Sequence, residues 1–286
     1  MSRLYIIGNG FDLFHGYETS YSDFYQYLSD EACYGDMLSS LEQYWFNVED
    51  KEFWSDFEEN LGNLDDDSLM MYAREYSTNI NDENPKYNGV EIEVDRIFEP
   101  IVGLRKVIIE FIRDATKNLP NAGIDIDINA KFINFNYSKT LEVIYKVNTD
   151  NIFYIHGNID DEKVILGHRE DNPFKSYYAI DEGSYDYSCE IGTGAAEYYF
   201  NEIFKNSEQI IQDNTGYFEN LKETKEIVVL GHSLSNVDKA YFDKIHRCVD
   251  DCTWFISCHQ DEDIPKKENF LLNIGVLREN IKFFPM

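Results

Sequence analysis

The chain has 286 residues, 43% of them hydrophobic, which is enough for one large domain or two ordinary ones with a sizeable core. Its 54 Asp and Glu against 25 Lys and Arg give a formal net charge of -29. No clustered Lys/Arg stripe relieves it, and this excludes a surface built to hold nucleic-acid phosphates. The five cysteines (Cys33, Cys189, Cys248, Cys252 and Cys258) are odd in number and scattered, unlike a disulfide framework. No apolar run approaches the roughly 18 residues of a membrane span, and a strand begins within three residues of Met1, which does not read as a signal peptide. The expectation is a soluble cytoplasmic protein without a membrane partner.

In chain order, residues 3–8 read as a short buried strand, β-branched and aromatic, stopped by Gly8. Helical spacing follows in Tyr21 to Leu28 and in Phe53, Trp54, Phe57 and Leu61. Residues 76–90 are a polar break. Val94, Ile97, Phe98, Ile101, Leu104, Ile108, Phe111, Ile112 and Ala115 then recur every three or four residues, the clearest helix pattern in the chain. Pro100 inside it either kinks that helix or starts a second one. After a loop near Pro120 and Gly123, strands are expected at Phe132–Phe135, Ile152–Ile155, Val164–Leu166, Ile227–Leu230, Trp254–Ser257 and Ile281–Phe284, with a helix-rich stretch over 195–221. Apolar runs separated by helices point to an α/β fold, a mostly parallel sheet covered by helices on both faces. The strand-poor region at about 20–120 reads as an acidic helical insertion, with Trp45, Trp54 and Phe57 as core.

Ligands of open parallel sheets bind at the carboxyl ends of strands, so the residues there matter most. After the first strand come Gly8, Asn9, Gly10, Phe11 and Asp12. This is either a loop that lets backbone approach a phosphate or a tight turn without a ligand. After Phe132-Ile133 come Asn134, Phe135, Asn136, Tyr137 and Ser138, whose amides hold sugar hydroxyls or water, or cap a helix. After Ile155 come His156 and Gly157. An imidazole with an ordinary pKa of about 6.5 suits general-base work and equally suits a hydrogen-bonded core position. After Leu230 come Gly231, His232 and Ser233, with Asp238 beyond, where Ser233 meets a phosphate or ribose or caps a helix. Together the four strand ends describe a nucleotide site with an Asn and a His and no metal ligand set.

These motifs resemble a known family. Gly8-Asn9-Gly10-Phe11-Asp12, His15-Gly16 and Thr19-Ser20-Tyr21-Ser22-Asp23-Phe24 resemble the start of the AbiH proteins of phage abortive infection. Phe135-Asn136-Tyr137-Ser138-Lys139-Thr140-Leu141-Glu142, Ile155-His156-Gly157 and Leu230-Gly231-His232-Ser233 resemble the rest, across nearly the whole chain. AbiH proteins are in turn similar to the sirtuin superfamily with its Rossmann-like NAD-binding domain. The resemblance implies one sirtuin-like α/β domain over residues 1–286. Gly8 and Gly10 would match the sirtuin phosphate loop, Asn136 its motif Asn, His156 its His-Gly histidine, and Gly231 and Ser233 its Gly-Thr-Ser segment. Ser257 would fall where sirtuins set an Asn against the adenosine ribose. The departures are Asn134 for Thr, Ser138 for Asp, and Asn9 and Asp12 for Ala and Ser. The paired Cys-x-x-Cys zinc ribbon is missing, and Cys248, Cys252, Cys258 and His259 fit no zinc spacing, so no metal is expected.

What the resemblance implies is an NAD+ glycohydrolase of anti-phage defence, with NAD as substrate or ligand. Asn136 would orient the nicotinamide ribose or a water, His156 would take a proton, and the glycine loop would anchor the pyrophosphate. Asp12 would point to a hydroxyl or serve the structure. The rival readings are an NAD- or ADP-ribose-sensing module that regulates a partner, an ADP-ribosyl transferase, and a nucleic-acid effector, which the charge opposes. A protein partner, a phage-derived trigger and a homo-oligomer belong to the resemblance alone.

Overall fold

The computed structural model describes residues 2–48, 50–69, 71–72, 88–118, 123–161, 164–174 and 187–286. Six strands form the sheet: β1 (Arg3–Ile7), β2 (Lys131–Asn134), β3 (Ile152–Tyr154), β4 (Glu226–Leu230), β5 (Thr253–Cys258) and β6 (Ile281–Pro285). Their order is β3-β2-β1-β4-β5-β6 and every pairing is parallel. This is the Rossmann-like order, and it reverses direction between β1 and β4. The short apolar β-branched runs pack on both sides, as strands of a covered parallel sheet must.

Alternate residues divide the core into two faces. Leu4, Ile6, Ile133, Ile227, Val229, Trp254 and Ile256 face Phe218, Tyr241, Phe242, Ile245, Phe270 and Leu271 of the later helices. Tyr5, Ile7, Phe132, Ile152 and Leu230 face Phe11, Ile126, Leu141 and Val147. The period of two along each strand produces both layers.

The expected strand at Val164–Leu166 is a correction: its residues belong to no strand of the sheet. Val164 and Leu166 are buried, but the backbone turns to other partners. Ile165 N–H donates to His156 O, and Ile165 O accepts the Tyr137 hydroxyl. Apolar burial alone does not distinguish such a segment from a ladder strand.

The chain divides into two compact units. The first, 1–20, 108–165 and 206–286, carries the sheet. The second, 21–107 and 166–205, takes most of the stretch expected as an insertion together with a later passage that was not expected to join it. Within it, Phe53, Trp54 and Phe57 are buried with Phe24, and Trp54 stacks on Phe57. The Trp45 and Trp54 indole N–H groups donate to Leu61 O and Val48 O, as buried indoles require. Lys205, buried, places Nζ 2.7 Å from Glu58 Oε2, and Tyr21 donates to Glu58 Oε1 at 2.6 Å. The helix Asn88–Ala115 runs on through Pro100 rather than restarting there. Of the expected loops, 76–87 and Pro120 lie outside the described residues, whereas 88–90, expected in the polar break, open this helix.

Candidate functional site

Register levels the strand ends. Ile7 pairs with Asn134 and Leu230, and Asn134 pairs with Tyr154. The residues that follow the strands are Gly8, Phe135, Ile155 and Gly231, and after them Asn9, which opens a helix, Asn136, His156 and His232. The candidate residues thus gather at the carboxyl edge, where the strand order reverses.

The glycines of this edge are turned to one another. Gly8 N–H donates to Leu230 O at 2.9 Å, Gly10 N–H to Gly231 O at 2.8 Å, and Phe11 N–H to Gly8 O at 2.9 Å. A Cβ on Gly8 would sit 2.5 Å from His232 Cα, and one on Gly10 would sit 2.9 Å from Gly231 Cα. Gly231 has φ +66, and its Cβ would overlap Phe11 N and Gly10 C. The glycines allow two backbone turns to touch across β1 and β4. The amides of Gly8, Gly10 and Phe11 are engaged inside the protein.

The polar residues of the loop are likewise tied down. Asn9 Nδ2 donates to Thr19 O, and Thr19 Oγ1 returns a bond to Asn9 Oδ1, both at 2.8 Å. Asp12 is fully buried; Oδ2 accepts from Ser138 Oγ at 2.5 Å and Oδ1 from Thr140 Oγ1 at 2.6 Å. Burial pushes its carboxyl up to about 6 against the pull of these hydrogen bonds. Asn136 Nδ2 donates to Gly8 O at 3.1 Å, fastening the end of β2 to the first loop. Ser257 Oγ accepts from Gly231 N–H at 2.8 Å and serves the turn after β4. Gly157, at φ +82, turns the chain after His156.

Two histidines share one carboxylate. His156 Nε2 stands 3.8 Å from Asp238 Oδ1, and His232 Nε2 stands 3.4 Å from Asp238 Oδ2. All three residues are buried. The Phe135 ring meets both imidazoles edge-on, at 5.3 Å from His156 and 4.5 Å from His232. Tyr241 lies 5.5 Å from His156, ring to ring. Ser233 is exposed and is not drawn into this cluster. An imidazole held beside a carboxylate is the usual means of orienting a proton acceptor.

A family model for bacteriophage abortive infection AbiH matches residues 4–258. The chain belongs to the AbiH family. The match takes in every candidate residue from Gly8 to Ser257, and a role in phage abortive infection comes with it. No curated protein and no solved structure was found to match the chain. In this AbiH protein no helix among the described residues is long and apolar enough to cross a membrane. No group of three or more His, Cys, Asp and Glu among the described residues is arranged to hold a metal ion.

The structure adds three residues to those expected at the AbiH strand ends. Thr140 donates to Asp12 beside Ser138, Phe135 lies against both histidines, and Tyr241 packs on His156. Phe135 and Thr140 stand within the matched motif Phe135 to Glu142, next to Asn136 and Ser138. Tyr241 follows Asp238 by three positions, one helical turn, and that spacing is its only signal in the sequence.

Proposed function

We propose that this AbiH protein hydrolyses NAD+ to nicotinamide and ADP-ribose at the carboxyl edge of its sheet. The observation that carries the reading is that Asn136 and His156 each follow, by two residues, the paired strand ends Asn134 and Tyr154, with Asp238 against the His156 ring. The Rossmann-like strand order supports a nucleotide there, since such sheets bind dinucleotides where the order reverses. Asp12 does not oppose the phosphates from within the loop, because its carboxylate is buried on Ser138 and Thr140.

In the reaction the bond from ribose C1′ to the nicotinamide nitrogen breaks and its electron pair leaves with nicotinamide. The oxygen of water bonds to C1′, and its proton passes to His156 before release. Asn136 orients the water or the ribose. Proton acceptance by a placed imidazole accelerates such a step on the order of 10²- to 10⁴-fold. The amides of Gly8, Gly10 and Phe11 are bonded internally, so the loop does not offer these donors to the pyrophosphate. His156 is only 2% exposed, so turnover requires a local opening. That suits an activity held off until infection, since consuming NAD+ halts the metabolism of the cell.

Purified protein incubated with NAD+, with and without extract of phage-infected cells, should release nicotinamide and ADP-ribose in at least the infected arm. His156→Ala and Asn136→Ala should abolish that release. Absence of turnover in both arms, or full activity of both variants, refutes the hydrolase. Tight NAD+ binding without turnover would assign the site to sensing.

A further inference from the structure

We propose that Asp238 is a positioning residue that keeps the proton of His156 on Nε2, leaving Nδ1 as its basic nitrogen, and that His232 holds Asp238 in place for this. The role rests on the reading of His156 as general base.

The chain after β4 is bent to make the arrangement. Gly231 at φ 66 and Leu234 at φ 57 are both left-handed, and for a branched residue such as leucine this conformation is uncommon. The bend brings Leu234 N–H to His232 Nδ1 at 3.0 Å. A nitrogen that accepts carries no proton, so the neutral His232 ring carries its proton on Nε2, the atom 3.4 Å from Asp238 Oδ2. Asp238 is the N-cap of the helix Lys239–Cys248, a position where an aspartate commonly accepts from the first turn of its own helix. It makes no such cap bond. Its carboxylate is turned instead to the two rings, with Oδ1 toward His156 Nε2 at 3.8 Å. That separation is a charge contact rather than a hydrogen bond, and such contacts shorten when a reacting complex closes. Among the described residues, titratable groups about His156 include Asp238, Tyr241 at 5.5 Å between rings and, across Phe135, His232.

The test uses the full-length protein with labelled histidine, followed by NMR through a pH titration. His156 should show the Nε2–H tautomer when neutral, and Asp238→Asn should lower its pKa by on the order of one unit, since an anion beside the ring favours the cation. In the NAD+ assay the same variant should lose on the order of 10²-fold in kcat, and the acid limb of the pH profile should move to lower pH. His232→Gln keeps an N–H where Nε2 stood and should retain the wild-type profile. His232→Asn is too short to reach Asp238 and should behave like Asp238→Asn. The contrast between the two His232 variants carries the test if Asp238→Asn does not fold. A His156 titration unmoved by both Asp238→Asn and His232→Asn overturns the positioning role, whatever the activity. A shift that is seen while His156→Ala still hydrolyses NAD+ normally overturns the general-base reading and leaves the pairing in place.

Discussion

Gly10 and Gly231 meet backbone to backbone: the Gly10 N–H donates to Gly231 O at 2.8 Å, across the point where the strand order reverses. The contact leaves no room for a side chain. Gly231→Ala adds a Cβ against Phe11 N at a left-handed φ of 66. The expected cost is at least about 2 kcal/mol, read from urea denaturation. Gly16→Ala serves as the comparison, because φ there is also positive at 82 but nothing lies within 4 Å of an added Cβ. It should cost less than Gly231→Ala.

Asp12 makes stability depend on pH in an unusual direction. Its folded-state pKa, about 6, lies above the ordinary 3.8, so the folded protein binds this proton more tightly than the unfolded chain. Its stabilising contribution is complete below pH 3.8, falls as pH rises through about 6 and is level above that. Asp12→Asn removes the titration while leaving groups that can bond to Ser138 and Thr140. The stability of Asp12→Asn relative to wild type should therefore rise by about 1 kcal/mol between pH 5 and pH 8 in paired urea melts. A difference that stays flat over this range would show that Asp12 titrates normally.

The buried pair of Lys205 and Glu58 should be asymmetric to mutation. Lys205 Nζ is wholly enclosed, whereas the Glu58 side chain keeps 17% exposure and the Tyr21 hydroxyl. Glu58→Ala removes a carboxylate 2.7 Å from an enclosed ammonium, at an expected cost of about 3 kcal/mol. Lys205→Met leaves a carboxylate that still reaches water and Tyr21, and should cost less than half of that. Both Trp45 and Trp54 lie in the same unit as this pair, so their fluorescence on denaturation reports the difference.

Much of the sheet is legible in the sequence because its strands are short apolar runs ended by a glycine or an amide, as Ile7 is by Gly8 and Leu230 by Gly231. Level strand ends then bring Asn136, His156 and His232, each two residues past its strand, to the same edge of the sheet. The partners of Asp12 are not legible, since Ser138 and Thr140 lie more than a hundred residues away. Helix-capping rules would assign Asp238 to its own helix, and only the left-handed turn through Leu234 redirects it to the histidines. Val164 to Leu166 misleads for the opposite reason, because its apolar residues are buried while its backbone bonds outside the sheet. That 166–205 belongs to the second unit is not legible in the helical pattern over 195–221, as it is fixed by long-range contacts such as Lys205 with Glu58.

NAD+ hydrolysis at His156 is tested in the cell by the NAD+ content of phage-infected cells that carry the wild-type chain or His156→Ala at equal abundance. If the chain hydrolyses NAD+, NAD+ collapses and ADP-ribose rises after infection with wild type alone, and protection is lost with the variant. Protection by the wild-type chain with NAD+ unchanged would contradict it.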